Sequence, residues 1–129
     1  MWIRNGLVIN CFFVVVSCFQ ASEAAHIYPE RTYQDYWCTT RGGKTEVRLP
    51  DKARVDCVLN DYAIEFDFAN KWSESIGQSL YYGHCLNKKS GIVLIMENYD
   101  KDLKYLKRLT KVANLHNITV WVLTPQDLN

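Results

Sequence analysis

From Thr45 onward, apolar and polar residues alternate with the period of two that turns successive side chains to opposite faces of a strand. Val47 and Leu49 share a face in Thr45–Leu49, Val55, Cys57 and Leu59 in Ala53–Leu59, and Ile64, Phe66 and Phe68 in Tyr62–Phe68. These runs predict three consecutive strands. Gly91–Met96 carries the unbroken run Ile92-Val93-Leu94-Ile95 of a strand covered on both faces, and Ile118–Leu123 is a last strand. Helical spacing fills the gaps. It covers Tyr28 to Trp37, with Pro29 in the first turn and Arg41-Gly42-Gly43 as the stop, then Asn70 to about Leu86, then the Lys-rich Lys101–Leu115. The order α-β-β-β-α-β-α-β predicts an α/β fold, a mixed central sheet flanked by helices.

Met1 to Ala24 reads differently. Arg4 precedes an apolar run from Leu7 to Phe19 that is short for a membrane span, and Ser22 and Ala24 are placed for cleavage after Ala24. This is the layout of an export signal, leaving 25–129 as a single periplasmic or secreted domain with no stable membrane span. Val15-Val16-Ser17-Cys18 resembles a lipobox, and lipidation of Cys18 would make a membrane-anchored lipoprotein instead. A true start further along the chain would leave the protein cytoplasmic.

At 48% hydrophobic and 22% charged, the composition is that of an ordinary globular domain. A formal net charge of +1 excludes a global field toward nucleic acid or membranes, so any anion-binding surface must be local. Beyond the leader lie Cys38, Cys57 and Cys85, with no spacing that suggests zinc. They allow one bridge and one buried thiol, or three free thiols.

The register of the strands introduces the chemistry. A two-residue turn at Asn60 and Asp61, both tolerant of positive φ, sets Cys57 opposite Ile64, Asp56 opposite Glu65, and Arg54 opposite Asp67. Placing Val47 opposite Val55 through the loop Pro50-Asp51-Lys52 then sets Glu46 beside Asp56. Like charges directly opposite are destabilising. A row of Glu46, Asp56 and Glu65 is therefore either a solvated polar face or a site for a divalent cation such as Mg²⁺. In the next helix Lys71, Ser75, Gln78 and Tyr82 share one face, and Trp72, Ile76, Leu80 and Gly83 form the adjacent apolar stripe.

At these residues the chain resembles the PD-(D/E)xK nuclease superfamily, the fold of many restriction endonucleases and recombination exonucleases. Asp56 looks like the family's first strand acid, Glu65 like its second, and Glu46 like the extra acid upstream. Gln78-Ser79-Leu80-Tyr81-Tyr82 is similar to the Q-x-x-x-Y helix motif of the recombination-exonuclease branch. The chain departs from the pattern at Asp67, where the family has Lys.

The resemblance implies a restriction endonuclease-like fold and metal-dependent hydrolysis of phosphodiester bonds, in DNA ahead of RNA. Asp56, Glu65 and the Phe66 carbonyl, with Glu46 as a further ligand, would hold one or two Mg²⁺ or Mn²⁺ ions. Lys71 would take over from the missing Lys, Gln78 and Tyr82 would position the substrate strand, and Asp67 would pair with Arg54 or add a ligand. A homodimer would enlarge the small substrate surface. The alternatives are a catalytically inactive nuclease-fold module that binds nucleic acid or a protein partner, and a small exported envelope protein whose acid row is surface.

Overall fold

The computed structural model describes residues 25–129, so the leader, with Cys18, lies outside the described residues. Helix α1 (Glu30–Thr39) precedes an antiparallel meander of β1 (Lys44–Arg48), β2 (Arg54–Val58) and β3 (Tyr62–Phe68). A 3-10 turn leads into α2 (Trp72–Leu86), then come β4 (Lys89–Ile95), α3 (Tyr99–Leu115), β5 (Thr119–Leu123) and a terminal 3-10 turn at Pro125–Leu128. The five strands form one mixed sheet in the order β1-β2-β3-β4-β5, with β3, β4 and β5 parallel. Among the described residues no helix is long and apolar enough to cross a membrane.

Period and packing agree on what each face buries. Cys57, Ile64, Phe66, Phe68, Val93 and Ile95 form one core with Tyr33 and Trp37 of α1. On the opposite side Ile92 and Leu94 pack with Leu109 and Ala113 of α3, joined by Trp72 and Ile76 of α2. Ser75, Ser79 and Gly83, one turn apart, are the residues that α2 buries beside Tyr82. Such small side chains let a helix ride close to a sheet, and each serine hydroxyl is satisfied by the carbonyl three residues back. Of the apolar stripe expected on α2, Trp72, Ile76 and Gly83 pack inward; Leu80 is exposed, and Ser75, expected in the polar row, is buried instead.

The hairpin registers are as expected: Val47 pairs with Val55, and Cys57 with Ile64. Their turns differ. Neither Asn60 nor Asp61 has positive φ; in the other hairpin, Lys52 does, at 74°. Helix α1 ends as the glycines predict: Gly42, at φ 70°, lets Gly43 N–H reach back to the Cys38 carbonyl at 2.9 Å. Cys38 of α1 is bonded to Cys57 of β2 across 19 residues, a loop whose closure contributes about 3 kcal/mol in the chain-entropy view. A Cβ on Gly43 would stand 2.6 Å from the Cys38 sulfur, so only glycine allows this approach. Among the described residues the remaining thiol, Cys85, is exposed and not buried as expected.

Candidate functional site

The ladder between β2 and β3 stops at Asp56. Antiparallel pairs alternate, and bonded pairs at Leu59/Tyr62 and Cys57/Ile64 would next hand the Phe66 N–H to Val55. That N–H instead donates to the Asp56 carboxylate at 2.8 Å. On the other side Glu46 adopts φ 55° and drops out of the pairing between β1 and β2, and the Asp56 carbonyl accepts from Gln34 Nε2 of α1 at 2.6 Å. Strand alternation breaks at the same place: Val55 packs with Leu49, Ala63 and Tyr82, while Cys57 turns to α1. Side chains thus replace the ladder around Asp56, and the strands part.

A polar cleft of about 340 Å³ opens there. Arg54 and Asp56 of β2 and Glu65 and Asp67 of β3 meet Lys71, Gln78 and Tyr82 from the α2 side. Residues named from three separate stretches of the sequence therefore share one cleft. Two others do not line it. Glu46 lies between arginines, 3.3 Å from Arg31 Nη1 and 3.1 Å from Arg54 Nε, so it ties α1 to β2 and takes the partner expected for Asp67. Phe66, named for its backbone carbonyl, is not among the lining residues, and its ring packs on Trp37 in the α1 core. Ser75, expected in the polar row, is also absent from the lining.

Glu30 and Glu74 complete the lining, and neither was anticipated. Glu74 had a signal: Lys71, Glu74, Gln78 and Tyr82 follow i, i+3, i+7 and i+11, which is as good a helix face as the one through Ser75. Glu30 and the buried Gln34 had none, since nothing local shows that the first turns of α1 come to rest against Asp56.

Five carboxylates thus confront two cations. Glu65 is 5% exposed and Asp67 6%. Burial, with Asp56 and Asp67 close by, holds the Glu65 carboxyl far above the usual carboxylate range. Burial raises Asp56 too, against the hydrogen bond from Phe66. Asp67 is pushed up to about 7 by burial and by Glu30, with Lys71 opposing. Glu30 is raised by burial and then by Asp56. Glu65 Oε2 is buried and has no hydrogen-bond partner. An oxygen-only donor set with an orphaned carboxylate oxygen fits a hard cation such as Mg²⁺ or Mn²⁺. Among the described residues, however, no three acidic, His or Cys side chains already converge at ligating geometry. The cleft can receive a cation after rearrangement or hold protons, and it repels free anions.

A second cavity, of about 390 Å³, sits beyond the ends of β3 and β4 between His26, Phe68, Glu97 and Lys101. The His26 ring stacks on Phe68 at 3.4 Å. Glu97 accepts from His26 Nδ1 at 2.9 Å, Ile27 N–H at 2.9 Å, Tyr28 N–H at 3.3 Å and the Tyr33 hydroxyl at 2.7 Å. It clamps the segment leading into α1, and so fixes where Glu30 begins.

The chain matches no protein-family model, no curated protein and no solved structure.

Proposed function

We propose that the chain is a metal-dependent nuclease with the restriction endonuclease-like fold of the PD-(D/E)xK superfamily, acting on DNA ahead of RNA. The observation that carries this reading is the buried Glu65 carboxylate, with one oxygen unpartnered, beside Asp56 and Asp67 and in one cleft with Lys71, Gln78 and Tyr82. The antiparallel meander followed by a helical crossover to parallel strands supports the fold assignment. The buried disulfide suits an oxidising compartment and supports export.

In this reading Asp56 and Glu65, with Asp67 as a third oxygen donor, hold Mg²⁺ or Mn²⁺. A divalent ion there would lower the pKa of a bound water and offset charge developing on the phosphate. Lys71 enters the cleft from the turn before α2, placed to steady the scissile phosphate or orient the water. The Gln78 amide and the Tyr82 hydroxyl offer neutral donors to the substrate backbone. Arg54 is held by Glu46 at the rim and screens the acids. The protein supplies position and a prearranged field, the larger part of such catalysis.

The test is cleavage of circular DNA, linear DNA and RNA with Mg²⁺, with Mn²⁺ and with chelator, beside the variant Glu65→Ala. Divalent-dependent cleavage that falls at least about a hundredfold in the variant is expected. Equal cleavage by the variant would overturn the assignment.

A second reading, a silent nuclease-fold binding module, is favoured by Asp67 in the place of the family's Lys and by the unassembled ligand set. Such a module would fold normally, cleave nothing, and gain no thermal stability from divalent ions.

A further inference from the structure

We infer that the outward face of α3 is the docking surface for the sugar-phosphate backbone of the nucleic acid; as a statement about substrate it rests on the nuclease reading. Lys101, Lys104, Lys107, Arg108 and Lys111 are all exposed. At 100° per residue they fall within an arc of about 120°. Among the described residues none of them enters an ion pair, and the acid among them, Asp100, lies in the first turn, where the helix dipole favours it. Lys104 and Arg108 lie over the Tyr105 ring, at 4.8 and 5.9 Å from its centroid, which holds both cations at the surface.

The nearly neutral chain has therefore separated its charge. Acids gather in the cleft, which by itself turns a polyanion away, and α3 carries the compensating cations. Both lie on the same side of the sheet. Trp72 and Ile76, on one flank of α2, pack with Leu109 and Ala113 of α3, and the cleft opens on the other flank. The first turns of α2 between them present Ser73 and Gly77, both exposed, with Leu80, Tyr81 and His84 standing out only further along the helix, and a Cβ on Gly77 would meet nothing within 4 Å. A strand laid along α3 could thus cross a low saddle to reach Lys71. From Lys101 to Lys111 the stripe runs about 15 Å. That is the axial length of about four phosphates of one strand at about 3.4 Å each.

An anionic membrane would attract the same cations, but a membrane-bound helix sinks its apolar face into the lipid. Here that face is spent on the sheet, where Leu109 and Ala113 are buried.

The experiment compares the protein with its triple variant Lys104→Gln/Arg108→Gln/Lys111→Gln, using fluorescence anisotropy of a labelled DNA duplex in chelator between about 50 and 200 mM salt. The variant should bind about tenfold or more weakly at 100 mM salt, and its log–log salt slope should shrink by about 2 to 3. Its unfolding temperature, and the shift of that temperature with Mn²⁺, should match the parent's, because the cleft is untouched. Equal binding by parent and variant at every salt would overturn the inference. So would failure of the parent to bind DNA, or binding of the parent to phosphatidylserine vesicles with no DNA binding. A parent that cleaves, with a variant that binds and cleaves equally, removes the docking surface and keeps the nuclease. A parent that never cleaves, but whose DNA binding falls in the variant, keeps the docking surface and removes the nuclease.

Discussion

Glu97 and Glu65 are the same residue type on two neighbouring strands of one sheet, one just past the end of β4 and the other within β3, and they are treated in opposite ways. Glu97, just past β4, receives four donors over both of its oxygens. Burial tends to raise its pKa, but the bonds from Tyr33, His26 and the two amides outweigh it and hold the carboxyl below its ordinary range. Glu65, in the middle of β3, keeps one oxygen without a partner and faces two further acids, so its charge is opposed rather than met. A carboxylate saturated by its own protein is structural. One left buried without donors costs stability unless a proton or a cation arrives from outside. The difference marks the cleft, and not the Glu97 cavity, as the place where the protein leaves buried acid uncompensated.

Replacing Glu97 should sharpen that contrast most. Glu97→Ala orphans the Tyr33 hydroxyl, and Tyr33 is wholly buried, so a loss on the order of 3 kcal/mol is expected in chemical denaturation. An unchanged midpoint would mean that the clamp is incidental.

Asp67→Asn should act in the other direction. In chelator at pH 8 it should stabilise the fold by on the order of 1 kcal/mol, since it removes a buried charge to which no group among the described residues donates a hydrogen bond. At pH 5 the gain should vanish. A destabilised variant at pH 8 would show that Asp67 is paired after all.

The smallest effect is the pH profile itself. Asp67 moves from its ordinary 3.8 to about 7, so the folded state binds this proton more tightly than the unfolded chain. Its contribution is complete below about pH 4 and is lost as pH rises to about 7. Glu97, with its pKa lowered, contributes in the opposite sense and is lost on acidification. Protons and divalent ions compete for the same cleft oxygens. The rise in unfolding temperature produced by Mn²⁺ should therefore be larger at pH 8 than at pH 5, and the reverse order would place the ion elsewhere.

Much of this was legible in the chain. The period-two runs and the unbroken Ile92-Val93-Leu94-Ile95 run place all five strands, and a two-residue turn sets one hairpin register while the apolar pairing of Val47 with Val55 sets the other. Side-chain parity then brings Asp56, Glu65 and Asp67 near one another, and helix periodicity adds Lys71, Gln78 and Tyr82. Parity failed where a strand stopped being regular. Strict alternation carried through Glu46 sets its carboxylate in the acid row with Asp56, but its positive φ turns that carboxylate out of the cleft toward Arg31 and Arg54. On α2 the rows through Ser75 and through Glu74 differ by a fraction of a turn, so spacing alone does not separate them, and packing puts Glu74 in the cleft and Ser75 against the sheet. Helical spacing and hydrophobicity place Leu80 inward with Trp72 and Ile76, but α2 rides on Ser75, Ser79 and Gly83, which leaves Leu80 exposed.

By itself, then, the sequence determined which segments fold as strand or helix, how the hairpins align, and which acids stand on neighbouring strands, since these depend on period and on residues close in the chain. Tertiary structure alone decided that Cys38 joins Cys57, that Glu30 and Gln34 of α1 arrive at Asp56, and that Glu97 is filled with donors while Glu65 is not. Those outcomes depend on how a helix distant in sequence settles on the sheet. Whether a buried charge is paired is a property of everything that packs around it, and no local pattern records that.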